Sequence, residues 1–204
     1  MIARSALTYA VVLLAITAAP RPAMALALAD DAWRVTSGDV RVLCPLTVGG
    51  SFEGRTSELS GVLTATSTKP ATLAGDLSVD LRKLDTGINL RNEHLRENYL
   101  EVSKAAGYEH AVLSGVTMPD ADLATTEGKT RFTGQLRVHG VTKPVTGAAE
   151  IKRLSDKVKI TAHLTVHLPD FEIAQPRYLG VGVKDDVQLT VTFVATKEGS
   201  SAKP

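Results

Sequence analysis

From Lys157 to Leu168 polar and apolar residues take strict turns. Val158, Ile160, Ala162, Leu164, Val166 and Leu168 alternate with Lys157, Lys159, Thr161, His163, Thr165 and His167. A period of two gives an extended strand one dry face and one wet face, whereas the faces of a helix repeat about every 3.6 residues. The same alternation returns elsewhere. Leu73, Gly75, Leu77, Val79 and Leu81 oppose Asp76, Ser78 and Asp80; Phe132, Leu136 and Val138 oppose Thr133, Gln135, Arg137 and His139. Val145, Gly147, Ala149 and Ile151 oppose Thr146, Glu150 and Lys152; Val187, Leu189, Val191 and Phe193 oppose Gln188, Thr190 and Thr192. Residues 33–36, 40–48, 51–53 and 59–67 alternate more weakly. Many one-sided strands joined by short turns predict an all-β chain, an antiparallel barrel or sandwich.

The dry faces use Leu, Val, Ala and Gly, and Phe, Trp and Tyr make up only 4% of the chain. An eight-stranded barrel is wide enough to be filled by side chains or to hold a ligand. Small side chains on several strands favour the cavity.

One segment leaves the pattern. Leu95, Tyr99 and Val102 fall at helical spacing, which predicts a short helix within residues 89–102, capped by Asn89 or Asn92 and ended before Gly107. Asp85-Thr86-Gly87 reads as a turn, with Gly87 taking a positive φ. Val141-Thr142, between Gly140 and Lys143-Pro144, reads as a tight hairpin with Pro144 opening the next strand. Residues 169–184 hold two prolines and two glycines and read as a loop across one end of the barrel.

Residues 1–25 have the order of a secretory signal peptide: Arg4, an apolar run over residues 6–19, then Ala23-Met24-Ala25 as a small-x-small cleavage site. The apolar run is shorter than the roughly 20 residues that span a bilayer. Residues 26–196 then form one domain, and residues 197–204 a loose polar tail. Taking Arg4 and Arg21 from 23 basic residues leaves 21 against 22 acidic ones, a net charge of −1. That balance gives no electrostatic case for nucleic acid or an anionic membrane surface. No later segment is apolar enough to cross a membrane.

Catalytic signatures are missing: the sequence holds no Gly-x-Ser-x-Gly elbow, His-Glu-x-x-His, Walker loop or Gly-x-Gly-x-x-Gly. Glu93 and His94 are the one pair from which an acid–base site could be drawn, and a solvated helix face with local ion pairs is the stronger reading. His163 and His167 lie about 13 Å apart along a strand at ~3.3 Å per residue, too far to share an ion with ~2 Å bonds. Cys44 is the single cysteine. It cannot form an internal disulfide, which excludes dithiol chemistry, and reads as a small buried hydrophobe.

Two blocks carry a resemblance. Residues 81–102 read LRKLDTGINLRNEHLRENYLEV, and residues 136–145 read LRVHGVTKPV. In that order and spacing they resemble the polyisoprenoid-binding YceI-like family, which carries T-G-…-R-[DN]-x-H-L-R upstream of L-x-[VL]-[HN]-G-V-T-[KR]-P-V. The chain also departs from the family. Many members have His-Ser before the first core strand and Val-Arg-His within it; here those places read Ser37-Gly38-Asp39 and Arg41-Val42-Leu43-Cys44-Pro45. The family's aromatic pair after His-Leu-Arg is Tyr99-Leu100, and its Tyr-Pro is replaced by Tyr108-Glu109.

The resemblance implies a periplasmic, lipocalin-like, eight-stranded antiparallel barrel with one short helical insertion. It implies a non-enzymatic carrier that holds an isoprenoid lipid, a quinone or another long-chain amphiphile in an apolar tunnel, with no further cofactor and no metal. On that reading the tunnel wall is Leu77, Val79, Phe132, Leu136, Val138, Leu164, Val166, Leu189 and Val191. Leu95 and Tyr99 of the helix cover its mouth, and Arg91 and His94, beside Arg96, meet a polar head group. A structural role competes for the same cations: Arg91 would hold the Asp85 turn and His94 would cap a carbonyl. A solid-core structural or interaction protein is the main alternative function, followed by an enzyme acting on a lipid-like substrate through Glu93 and His94, and a homodimer is left open. N-terminal sequencing of the exported protein should begin after Ala25; a membrane-bound product with Met1 intact would contradict the cleavage.

Overall fold

The structure, a computed structural model, describes residues 32–178 and 180–198. Residues 1–25, where a signal peptide is expected, and residues 199–204 of the expected tail lie outside the described residues. Eleven strands follow in order: β1 (Ala32–Pro45), β2 (Ser51–Thr56), β3 (Leu59–Thr68), β4 (Ala71–Asp80), β5 (His110–Met118), β6 (Gly128–Val138), β7 (Val141–Leu154), β8 (Lys157–His167), β9 (Arg177–Tyr178), β10 (Val181–Gly182) and β11 (Asp186–Lys197). One helix, α1 (Asn89–His94), interrupts them and continues as a π-helical turn over Leu95–Tyr99.

The sheet is antiparallel and closes on itself because β1 pairs with β11 along its length, from Trp33↔Lys197 to Leu43↔Gln188. On its other edge β1 has two partners. Residues 32–34 pair with β3 and residues 40–45 with β2. β2 and β3 therefore lie end to end as one stave, and eight staves close the barrel. Closure leaves no open sheet edge between the first and last strands.

The alternation read in the sequence sets which side faces in. Val158, Val166 and Leu168 are buried and Ile160, Ala162 and Leu164 half-buried, while Lys157, Lys159, His163, Thr165 and His167 are exposed. Two exceptions, one outward and one inward, arise from backbone shape. In β4 the register shifts between Leu73 and Asp76, where Gly75 adopts φ 102°. A β-carbon there would stand 2.1 Å from the Val62 carbonyl oxygen. This bulge turns Gly75 outward, against the sequence expectation, and keeps Leu73 and Leu77 buried. His139, expected on the wet face, is 7% exposed.

The reason lies in the β6–β7 hairpin, which turns at His139-Gly140 rather than Val141-Thr142. Both residues have positive φ, 53° and 75°, and Val138 pairs directly with Val141. Two left-handed residues between paired strands match the right-handed strand twist. Pro144 is then within β7, opposite Gln135, and not at its start. It is tolerated because β7 meets β8 only from Gly147 onward, so this stretch has a sheet neighbour on one side alone.

The interior holds two apolar clusters. The lower one includes Leu63, Leu73, Met118, Phe132, Ile151 and Phe193; the upper one includes Cys44, Leu84, Leu100, Leu136, Val166 and Val187. Gly140→Ala should destabilise the fold by about 1 kcal/mol or more, because the position needs a positive φ. A β-carbon there would also stand 2.8 Å from the Tyr108 ring. Urea unfolding should show a lower midpoint with an unchanged slope.

Candidate functional site

Both long connections of the barrel leave from the same end. Residues 81–109 join β4 to β5 and residues 168–185 join β8 to β11, and both start where β1 finishes. They close over that end and are tied to the rim by backbone. Asp85 exchanges hydrogen bonds with Arg55 of β2, at 2.7 and 2.8 Å. On the other side the Thr47 N–H donates to the Gly182 carbonyl at 2.8 Å and the Lys184 N–H to the Pro45 carbonyl at 2.8 Å.

α1 starts without a side-chain cap, since Ile88 occupies that position. Asn92, expected as a cap candidate, turns inward instead and is 5% exposed. Its amide oxygen accepts from the Thr86 N–H and hydroxyl, both at 2.7 Å, and its NH2 donates to the Asp85 carboxylate at 2.7 Å. That bond, together with the Gly87 N–H, holds the Asp85 carboxyl below the usual range. Arg96 completes the brace by donating to the Asn92 carbonyl at 3.1 Å and the Arg82 carbonyl at 2.7 Å. The Asp85 turn thus belongs to Asn92, and Arg91 is free of that task.

The π turn alters which residues face in. The Leu100 N–H bonds the Leu95 carbonyl at 2.9 Å, five residues back, so Leu95 and Leu100 share the inward side. A regular helical period could not have selected Leu100. The chain after the turn is latched by Glu101. Its carboxylate accepts from Lys104 at 2.6 Å and from His139 Nε2 at 2.8 Å, while His139 Nδ1 lies 3.1 Å from the Phe171 carbonyl oxygen. A carboxylate and a carbonyl both accept, so both ring nitrogens must donate for the two bonds to exist together. One buried imidazole thereby links both long connections to the β6–β7 hairpin.

Beneath this cover lies a mouth cavity of ≈ 550 Å³, bounded by Phe52, Ile88, Leu90, Arg91, His94 and Arg177. It adjoins an inner chamber of ≈ 120 Å³ whose wall is apolar throughout. Phe52, Leu95, Tyr99, Pro176 and Val183 line both. The Tyr99 hydroxyl accepts from the Arg177 N–H at 3.1 Å and lies 3.3 Å from the Arg177 carbonyl oxygen, joining the helix segment to the second connection. A third cavity, ≈ 140 Å³, sits at the opposite end of the barrel among Trp33, Leu73, Met118, Ile151, Phe193 and their neighbours.

The residues singled out from the sequence fall into three places. Arg91, His94, Leu95 and Tyr99 line the mouth, the last two reaching the inner chamber as well. Leu136, Val138, Val166 and Leu189 line the inner chamber. Leu77, Val79, Phe132, Leu164 and Val191 line neither; they pack in or against the lower cluster, below the inner chamber. Sequence reasoning missed Phe52, Cys44, Leu84, Ile173, Pro176 and Val183 of the wall. Ile173, Pro176 and Val183 belong to the irregular connection, where no periodicity marks an inward side.

Arg91 departs from the structural role that competed for it, whereas Cys44 is buried in the upper cluster as expected. The Arg91 guanidinium stands 4.4 Å from the Phe52 ring centroid, a cation–π contact, and among the described residues it makes no hydrogen bond or ion pair. The His94 side chain makes no hydrogen bond among them either, and Glu93 beside it is exposed. Cys44 faces the inner chamber, where burial pushes its thiol up to about 11 and nearby Arg91 offsets part of the rise. Such a thiol is a poor nucleophile at neutral pH.

The Glu101 latch carries a pH dependence. Hydrogen bonds from Lys104 and then from His139 hold its carboxyl below the usual range. A depressed folded value stabilises the fold above the unfolded carboxyl's pKa of about 4.3, and that contribution is lost as pH falls through the folded value. Glu101→Gln should lower Tm at pH 7 and flatten its decline on acidification. Thermal melts of both proteins from neutral to acid pH measure this.

The YceI-like domain family matches residues 33–195. No curated protein matches the chain. Among solved structures, BcnA of Burkholderia cenocepacia is similar at 18% identity and TM-score 0.63, over 78% of this chain and 96% of that one. A polyisoprenoid binding domain from Saccharophagus degradans, implicated in plant cell wall breakdown, is similar at 19% identity and TM-score 0.62, over 82% of this chain and 99% of that one. The Campylobacter jejuni YceI protein is similar at 21% identity and TM-score 0.54, over 73% of this chain and 86% of its own. At these identities the neighbours carry the fold alone, and it is the same closed barrel. With the family match spanning the barrel from Trp33 to Ala195, the chain belongs to the YceI-like family.

Proposed function

We propose that this protein is a periplasmic, non-catalytic carrier that holds a polyisoprenoid or similar long-chain amphiphile, tail in the inner chamber and head at the mouth. The observation that carries the reading is an apolar chamber that shares five lining residues with a mouth whose polar wall includes Arg91, His94 and Arg177 and no carboxylate. Apolar surface leaving water contributes about 25 cal/mol per Å². A prenyl tail therefore gains affinity from a dry wall without hydrogen bonds, and a few polar groups at the opening orient the head. The family match and the polyisoprenoid binding domain among the structural neighbours support the lipid class. The Arg4, apolar-run and Ala23-Met24-Ala25 order supports export. The departures from the family at residues 37–45 include Cys44, which faces the chamber, so the ligand of this chain meets a thiol there.

Arg91 is the head-group contact of this reading, since among the described residues its guanidinium has only the Phe52 ring as a partner. Arg91→Ala should weaken binding of a prenyl phosphate by roughly tenfold or more while leaving the uncharged alcohol of the same length close to wild type, because only the phosphate gains from a cation. Paired titrations on both proteins decide it. Equal losses for the two ligands would remove Arg91 as a head-group contact. Native mass spectrometry of gently purified protein should show a retained lipid mass.

A further inference from the structure

We propose that Phe132 is the length gauge of the chamber, limiting bound chains to tails that end above mid-barrel. This rests on the lipid-binding reading above. The inner chamber and the lower cavity share no lining residue. Each strand that reaches both carries a residue between them that lines neither. On β8, Val166 faces the inner chamber and Ile160 the lower cavity, with Leu164 between; on β11, Leu189 and Phe193 flank Val191 in the same way.

Phe132 is the largest side chain of this layer and is 3% exposed. Its register partner is Gly147, and the next partner across, on β8, is Leu164. A β-carbon on Gly147 would stand 2.5 Å from the Phe132 ring, so the ring occupies the place of the missing side chain. A large residue on one strand over glycine on the next lets the ring lie across its neighbour, in the layer between the two cavities. Two separately lined cavities lie on either side of this layer. A tail entering from the mouth buries more methylenes with each added isoprene until it meets this layer; further units stay outside and gain nothing.

The test is a titration series with prenyl alcohols of increasing length, from farnesol through geranylgeraniol to solanesol, on wild type, Phe132→Ala and Leu164→Ala. In wild type, affinity should rise and then level off along the series. In Phe132→Ala the levelling should move to longer chains, with solanesol bound at least about tenfold more tightly than by wild type, the equivalent of roughly two more buried methylenes. Leu164→Ala removes bulk from the same layer and should shift the profile in the same direction if the Phe132 variant fails to fold. Affinity that climbs steadily to solanesol in wild type would overturn the gauge, as would one profile shared by all three proteins. No binding of any alcohol by any of the three would overturn the lipid-binding reading and the gauge with it.

Discussion

The pairing of β1 with β11 is the interaction on which the interior depends. It converts a sheet with two edges into a closed wall, and only a closed wall can keep an apolar chamber dry. β1 is also the strand with the most divided duty: one edge runs along β11, while the other serves β3 near its start and β2 near its end. The division lets a single stave change strands partway up. Near the rim β2 is then left with only a backbone bridge, from Arg55 to Asp85, on its far side. The first long connection fills that gap, with Leu84 packed against Gly54. The site arises where the barrel wall is least complete.

The connection over that gap assigns its polar side chains sharply. Asn92 and Arg91 are neighbours in sequence and differ in every physical respect. One is buried with its amide oxygen and nitrogen both bonded to the Asp85-Thr86 turn. The other rests on an aromatic face at the mouth. About 100° of helical rotation separates adjacent residues, which suffices to send one inward as a strut and leave the other to the opening. Because Asn92 and Arg96 carry the bracing, the cation at position 91 is not needed to hold the cover in place.

Much of the barrel was legible because strands with one wet face announce themselves. The alternation from Lys157 to Leu168 survives intact in β8. What misled was local. His139 has the spacing of a wet-face residue, yet the two-residue turn gives it a positive φ and swings its ring under the second connection, where Glu101 and the Phe171 carbonyl take both nitrogens. Gly75 also follows the pattern of its strand, and a bulge reverses it. The helix was legible from Leu95 and Tyr99, but a π turn has no period that sequence spacing reveals, and Leu100 was missed with it. At the site, the cations and the upper wall could be read from charge and alternation. The division between upper and lower interior could not, since alternation reports which side a residue faces and not how far across the barrel it reaches.

The placement of both long connections at one end has a consequence for traffic. The inner chamber shares part of its wall with the mouth, and beneath it a layer of apolar side chains separates it from the lower cavity. Whatever enters must leave by the way it came, reversing its path, so that the part admitted last is the part released first. A protein arranged in this way cannot pass cargo from one face to the other. On the proposed carrier reading, donor and acceptor would have to present themselves in turn to the same rim, and occupancy of that rim by one would exclude the other.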